Sequence, residues 1–128
     1  MAAVAHQFMD KVFVGGPAPI GTFASRYDGF LATGETVEQE FKGMRDGMVF
    51  TNKRLMVINA QGLLGKKVEV TSFPWRSITA FSLENSGTID LDAELKICGS
   101  GWGVCEVMMT KGTNVREVAQ FINDRINL

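Results

Sequence analysis

The stretch Thr88-Ile89-Asp90-Leu91-Asp92-Ala93-Glu94-Leu95-Lys96-Ile97 alternates apolar and charged residues without a break. Ile89, Leu91, Ala93, Leu95 and Ile97 share one side of an extended chain, and Asp90, Asp92, Glu94 and Lys96 share the other. Period two over ten residues is the pattern of a strand with one face in a core and one face in water. Such strands belong to antiparallel sheets, which can keep one face wet. After Ile97 the loop Gly99-Ser100-Gly101-Trp102-Gly103 turns the chain into a second strand at about 104 to 110. Before Thr88, Asn85-Ser86-Gly87 is a turn signal that closes a hairpin with a strand at 77 to 84.

Further strands follow upstream at about 36 to 44, 48 to 52, 54 to 59 and 66 to 73, with Arg45-Asp46-Gly47 and Asn59-Ala60-Gln61-Gly62 as turns. Seven short strands in succession predict an antiparallel meander. Downstream, Asn114 caps a helix with Glu117 three residues on, and Val115, Val118, Ala119, Ile122 and Ile126 form its apolar stripe. A meander of this size curls into a small barrel or packs as two sheets, and the stripe predicts that the helix plugs its open corner. Before residue 34 the reading is a helical or irregular extension. Val4, Phe8 and Val12 recur every four residues, Gly15-Gly16-Pro17 stops that helix, and Phe23, Tyr27, Phe30 and Leu31 mark a second one ended by Gly34.

The order of seven strands and a C-terminal helix resembles the pleckstrin-homology superfold. The resemblance is specific at Phe50-Thr51-Asn52-Lys53-Arg54-Leu55, at Gln61-Gly62-Leu63-Leu64-Gly65-Lys66-Lys67-Val68-Glu69, at Phe73-Pro74-Trp75-Arg76-Ser77-Ile78 and at Asp90 to Ile97. It is that of a stand-alone bacterial PH-like domain over residues 34 to 127, so the chain divides into an extension, 1 to 33, and a domain, 34 to 128. The resemblance implies homo-oligomers, since such domains tend to associate into rings. It also implies that basic residues in hairpin loops are the place to look for an anionic headgroup site.

Composition bounds the function. The chain has 128 residues, 13 Lys and Arg against 14 Asp and Glu, and a net charge of −1. A compact monomer of this size exposes about 6,700 Å² of roughly 20,000 Å², enough for one cored domain. Near-neutrality argues against a generic nucleic-acid binder. His6, Gln7, Asp10 and Lys11 interrupt the N-terminal apolar residues, so neither a secretion signal nor a spanning helix fits and a cytoplasmic location is expected. Side-chain parity puts Cys98 on the outer face and Cys105 on the inner one, which predicts free thiols.

No catalytic constellation is present. His6 is the only histidine, and no nucleophile elbow, P-loop or His-Glu-x-x-His motif occurs. Asp90, Asp92 and Glu94 form a flat row with side chains about 6 to 7 Å apart, unlike the wrapped oxygen cage a hard cation needs. Neither metal nor cofactor is expected. Charge is segregated, however: between residues 42 and 76 Lys42, Arg45, Lys53, Arg54, Lys66, Lys67 and Arg76 face only Asp46 and Glu69, whereas Glu84, Asp90, Asp92 and Glu94 face only Lys96 between 77 and 97. That asymmetry suits head-to-tail contact between copies. Met48-Val49-Phe50 and Leu55-Met56-Val57-Ile58 are apolar on both faces, so their outer side needs a cover, either the N-terminal segment or a neighbouring subunit.

The reading is thus a non-catalytic self-assembly or protein-interaction module. Met48, Phe50, Met56, Ile58, Asp90, Asp92 and Glu94 are its candidate subunit contacts, and the loop aromatics Trp75 and Trp102 are either interface anchors or partly buried structural residues. The alternative is a peripheral anionic-lipid binder using Lys53, Arg54, Lys66 and Lys67.

Overall fold

A computed structural model describes residues 9, 11–61, 67–85, 93–110 and 113–127. The elements run β1 (Val12–Phe13), β2 (Gly16–Ala18), α1 (Ala24–Tyr27), β3 (Val37–Lys42), β4 (Gly47–Thr51), β5 (Arg54–Gln61) and β6 (Lys67–Pro74). After a 3-10 turn at Trp75–Ser77 come β7 (Ala80–Asn85), β8 (Ala93–Gly99), β9 (Gly103–Met109) and α2 (Val115–Ile126). The seven expected strands are β3 to β9. They form two sheets rather than a closed barrel: β2-β3-β4-β5-β6, and β1-β9-β8-β7. Every contact between consecutive strands from β2 to β6 and from β7 to β9 is antiparallel.

The register explains why two strands are apolar on both faces. Met48 pairs with Val57 and Phe50 with Leu55, and these four join the main core with Leu95, Ile97, Val107 and Ile122. Val49 pairs with Met56, and with Ile58 these look outward into a second cluster closed by Phe23 and Tyr27. The cover is therefore the chain's own N-terminal segment. Met48, Phe50, Met56 and Ile58 are at most 1% exposed, so the apolar surface that a neighbouring subunit was expected to cover is already covered. Close approach sets the identity of Gly47, because a Cβ there would lie 2.2 Å from the Phe23 ring.

Glu40 holds that cover down. Its register opposite Val49 points it outward, where its carboxylate accepts from the Gly21 N–H, from the Phe23 N–H at 2.8 Å and from the Tyr27 hydroxyl at 2.7 Å. Burial, reinforced by the Glu40 carboxylate, pushes the Tyr27 phenol far above its usual range.

Residues 12 to 18 correct the helical reading of the N-terminal segment. Val12–Phe13 runs parallel to β9, and Gly16–Ala18 pairs with β3, so the segment bridges both sheets. Val12 and Val14 are buried while Phe13 is exposed, the alternation of a strand. Gly15 joins the two strands at φ 73°, where a Cβ would sit 1.9 Å from the Lys42 carbonyl oxygen. Val4 and Phe8, which suggested the helix, lie outside the described residues. The second expected helix is found as the single turn α1.

At the C-terminus Asn114 caps α2, its side chain accepting from the Glu117 N–H at 3.2 Å. Phe121 stacks on Phe50 with centroids 5.2 Å apart, and Ile122 is fully buried, so the helix closes the space between the sheets as its stripe predicts. Arg125 lies 4.3 Å over the Phe121 ring and pairs with Glu38 of β3.

Candidate functional site

The basic residues named from the sequence do not converge. Lys53 and Arg54 stand at one end of β5, while Lys67 pairs with Gln61 at the other. Seven residue steps at about 3.3 Å separate these ends by about 23 Å, too far for one headgroup. Lys66 lies outside the described residues.

Arg54 is not a ligand-seeking side chain. Its Nε and Nη2 reach Glu35 at 2.8 and 2.9 Å, Nη2 also donates to the Phe30 carbonyl at 2.7 Å, and Nη1 donates to the Ser72 hydroxyl at 3.1 Å. Burial would raise the Glu35 carboxyl, but hydrogen bonds from Arg54, from the Thr51 hydroxyl and from the Ala32 N–H outweigh it and hold the group below its ordinary value. This fork-to-fork pair fastens the end of the N-terminal cover to β5. Arg54, a headgroup candidate from the sequence, is thus engaged within the chain.

The acidic row is also partly committed within the chain. Lys11 reaches Glu94 at 2.9 Å and Glu106 at 3.3 Å, and Lys96 lies 3.6 Å from Glu94. The Lys11 ammonium beside it holds the Glu94 carboxyl below its usual range. Asp90 and Asp92 lie outside the described residues. Among the described residues no group of His, Cys, Asp and Glu is arranged to hold a metal ion.

Both tryptophans make contacts within the chain. Trp75 is buried, donating its indole N–H to the Thr51 carbonyl at 2.8 Å, and Trp102 packs on Phe73 with centroids 4.8 Å apart. Cys98 and Cys105 are free thiols, with Cys105 buried and Cys98 half-buried, as their parity predicts. Burial pushes the Cys105 thiol up to about 12, which removes it as a nucleophile.

Two surfaces remain that the sequence did not single out. One is the open side of β6, the last strand of its sheet. Beside it Phe30, Arg54, Met56, Val68, Val70 and Ser72 line a groove of about 250 Å³, and Phe30 is 67% exposed at its rim. The other is the tip of the β3–β4 hairpin, where Met44 is 97% exposed. The Ala60 N–H donates to Asp46 at 3.0 Å, which docks this tip at the Lys67 end of β5. Period-two patterning could have exposed neither, because hairpin tips and edge positions carry no periodic signal.

Two sheets closed by one C-terminal helix, with no assembled catalytic group among the described residues, define a pleckstrin-homology-like sandwich. The comparisons agree. The bacterial PH domain family matches residues 10–126, and the chain belongs to that family. The chain is similar to the crystal structure of a DUF1696 family protein with a pleckstrin-homology domain from Shewanella loihica PV-4, with a TM-score of 0.77, 35% identity and coverage of 87% of this chain and 96% of that one. A pleckstrin homology domain from Shewanella amazonensis SB2B aligns with a TM-score of 0.72 at 35% identity, covering 87% and 90%. The uncharacterized protein YjqA of Bacillus subtilis (strain 168) is 54% identical over 71 residues, which span 56% of this chain and 57% of YjqA's own length. No helix among the described residues is long and apolar enough to cross a membrane.

Proposed function

We propose that the protein is a non-catalytic assembly module of the cytoplasm that joins copies of itself through the open edge of β6. The observation that carries this reading is that edge: eight residues paired on one side only among the described residues, with an apolar groove beside it. Unpaired backbone groups along an exposed edge are a template for another strand. The other sheet offers a second edge, β7, where Glu84 is exposed, while Lys67 is exposed on β6. Among the described residues one chain thus carries two different sheet edges, β6 with exposed Lys67 and Glu69 and β7 with exposed Glu84. Heterologous contact of this kind propagates head to tail and closes into a ring when the rotation permits. Free thiols support a reducing compartment.

Sedimentation velocity at micromolar concentration, at low and high salt, tests the reading. Assemblies well above the 14.0 kDa of one chain are expected. Ser72→Lys with Phe30→Asp, both at exposed positions, should return the protein to the monomer. A wild-type monomer at both salt concentrations overturns the proposal.

A second reading rests on Met44. An almost fully exposed apolar side chain beside Lys42 and at the Lys67 end of β5 suits shallow contact with an anionic bilayer. Pelleting with phosphatidylserine vesicles should weaken in Met44→Asp and in Lys67→Glu, and pelleting unchanged by both removes the tip from consideration.

A further inference from the structure

Two aspartates of the chain are followed by glycine, Asp28 and Asp46, and the fold treats them in opposite ways. An aspartate carboxyl beside a glycine is open to attack by the glycine's own backbone nitrogen, since no Cβ shields that nitrogen and glycine turns freely about its backbone bonds. In a folded chain the attack requires that the peptide unit joining the two residues can turn.

At Asp46–Gly47 it is locked. The Asp46 carbonyl accepts from the Gly43 N–H at 2.9 Å, and its carboxylate accepts from the Ala60 N–H at 3.0 Å. Gly47 is buried, paired with Lys42 on one side and with Ile58 on the other, under the Phe23 ring. Turning this peptide unit means opening two strand pairings and lifting Phe23. At Asp28–Gly29 it is open. Asp28 leaves α1 with an extended ψ of 132°, Gly29 follows at φ 89°, and both are exposed. Apart from chain neighbours, no atom among the described residues lies within 4 Å of where a Gly29 Cβ would be. The hydrogen bond across the pair runs from the Phe30 N–H to the Tyr27 carbonyl at 2.9 Å, a turn contact at the surface that opens more readily than a sheet.

We propose that Asp28 is a site of spontaneous isomerisation to isoaspartate and that Asp46 is protected from it. The Gly29 nitrogen bonds to Asp28 Cγ; its proton and the carboxyl's hydroxyl leave together as water, and a cyclic imide remains. Water then adds to one of the two imide carbonyls and breaks the C–N bond there. Opening at Cγ restores aspartate, and opening at the main-chain carbonyl gives isoaspartate. Water is the only co-reactant. In isoaspartate the main chain runs through the side-chain methylene, which lengthens the stretch between Tyr27, held by Glu40, and Phe30, whose carbonyl accepts from Arg54 at 2.7 Å. The cover over Val49, Met56 and Ile58 is thereby slackened between its two fasteners.

The full chain, incubated for weeks at neutral pH, is digested and its isoaspartate located by electron-transfer fragmentation. Isoaspartate at residue 28 should exceed that at residue 46 by about tenfold or more, the ratio set by the extra cost of opening the sheet. In urea the two sites should react alike. Asp28→Asn, at an exposed position, should react faster through the same imide with ammonia as the leaving group, read as the mass gain of an amide turned acid. Asp28→Glu should not isomerise. Aged wild type should bind more hydrophobic dye than equally aged Asp28→Glu, with the far-ultraviolet signal of the sheets unchanged. No isoaspartate at residue 28, equal amounts at 28 and 46 in the folded chain, a bias that survives in urea, or equal dye binding by the isomerised chain and Asp28→Glu overturns the proposal.

Discussion

The protein has two apolar clusters on opposite sides of one sheet, and they are built differently. The inner one is shared by both sheets and α2, with Phe50 at the centre of an aromatic group that includes Phe41, Trp75 and Phe121. The outer one rests a short segment, Phe23 to Leu31, on Val49, Met56 and Ile58. The inner cluster is held by apolar area contributed from nine elements. The outer one is small, and polar fasteners at both of its ends hold it: Glu40 beneath α1, and Glu35 with Arg54 beyond Phe30. Area tolerates the loss of one contact in proportion to its size, whereas a fastener that loses one partner leaves the other buried and unpaired.

Substitutions on the two sides sharpen that difference. The largest effect is expected for Phe50→Ala, which opens a cavity beneath α2 and should cost about 3–5 kcal/mol in urea unfolding with a single transition. A loss below 1 kcal/mol would mean that α2 does not rely on this ring. Arg54→Met follows, at about 3 kcal/mol, because it strands the Glu35 carboxylate in the interior. It carries a pH signature. Glu35 has its carboxyl held below the ordinary value of 4.5, so the pair contributes its full stability above that pH and loses it as the pH falls below 4.5 through the folded-state value. The wild type should lose that increment in acid, and Arg54→Met should titrate without it.

Glu40→Gln should cost about 2 kcal/mol, since one amide oxygen replaces two carboxylate oxygens that serve three donors. Dye binding to newly exposed Val49, Met56 and Ile58, with the far-ultraviolet signal of the sheets retained, would show the cover lifting from an intact sandwich. Simultaneous loss of both signals would instead make the two clusters one cooperative unit. The smallest effect is kinetic: under native conditions iodoacetamide should label Cys98 and spare Cys105, whose thiol is held near 12 by burial. Equal labelling would mean that the inner cluster opens on the labelling timescale.

Much of this architecture was legible in the sequence, and the exceptions share a cause. The alternation from Ala93 to Ile97 and the two-faced strands announced both sheets, and their double-sided burial is what the register delivers. Val12-Phe13-Val14 also alternates, but a strand of two residues offers too few positions to outweigh a four-residue spacing running into it. Arg54 resembled a free cation because its partner stands 19 residues away in a segment without periodicity. Among Glu38, Gln39 and Glu40 the sequence has no means of choosing the buried one, since a register shift decides it. The outer cover was anticipated as one of two alternatives, and the ring of Phe23 seated on Gly47 decides between them.

The parallel pairing of Val12–Phe13 with Val107–Met108 has a consequence for how the chain acquires its shape. Strands β2 to β6 pair with neighbours in sequence and can form as they emerge. β1 cannot: its partner leaves the ribosome only after almost all of the intervening chain, and contacts so distant in sequence form slowly. The first described strand is therefore among the last to find its place. Until then the edge of β9 that it will occupy stands open on the nascent sheet.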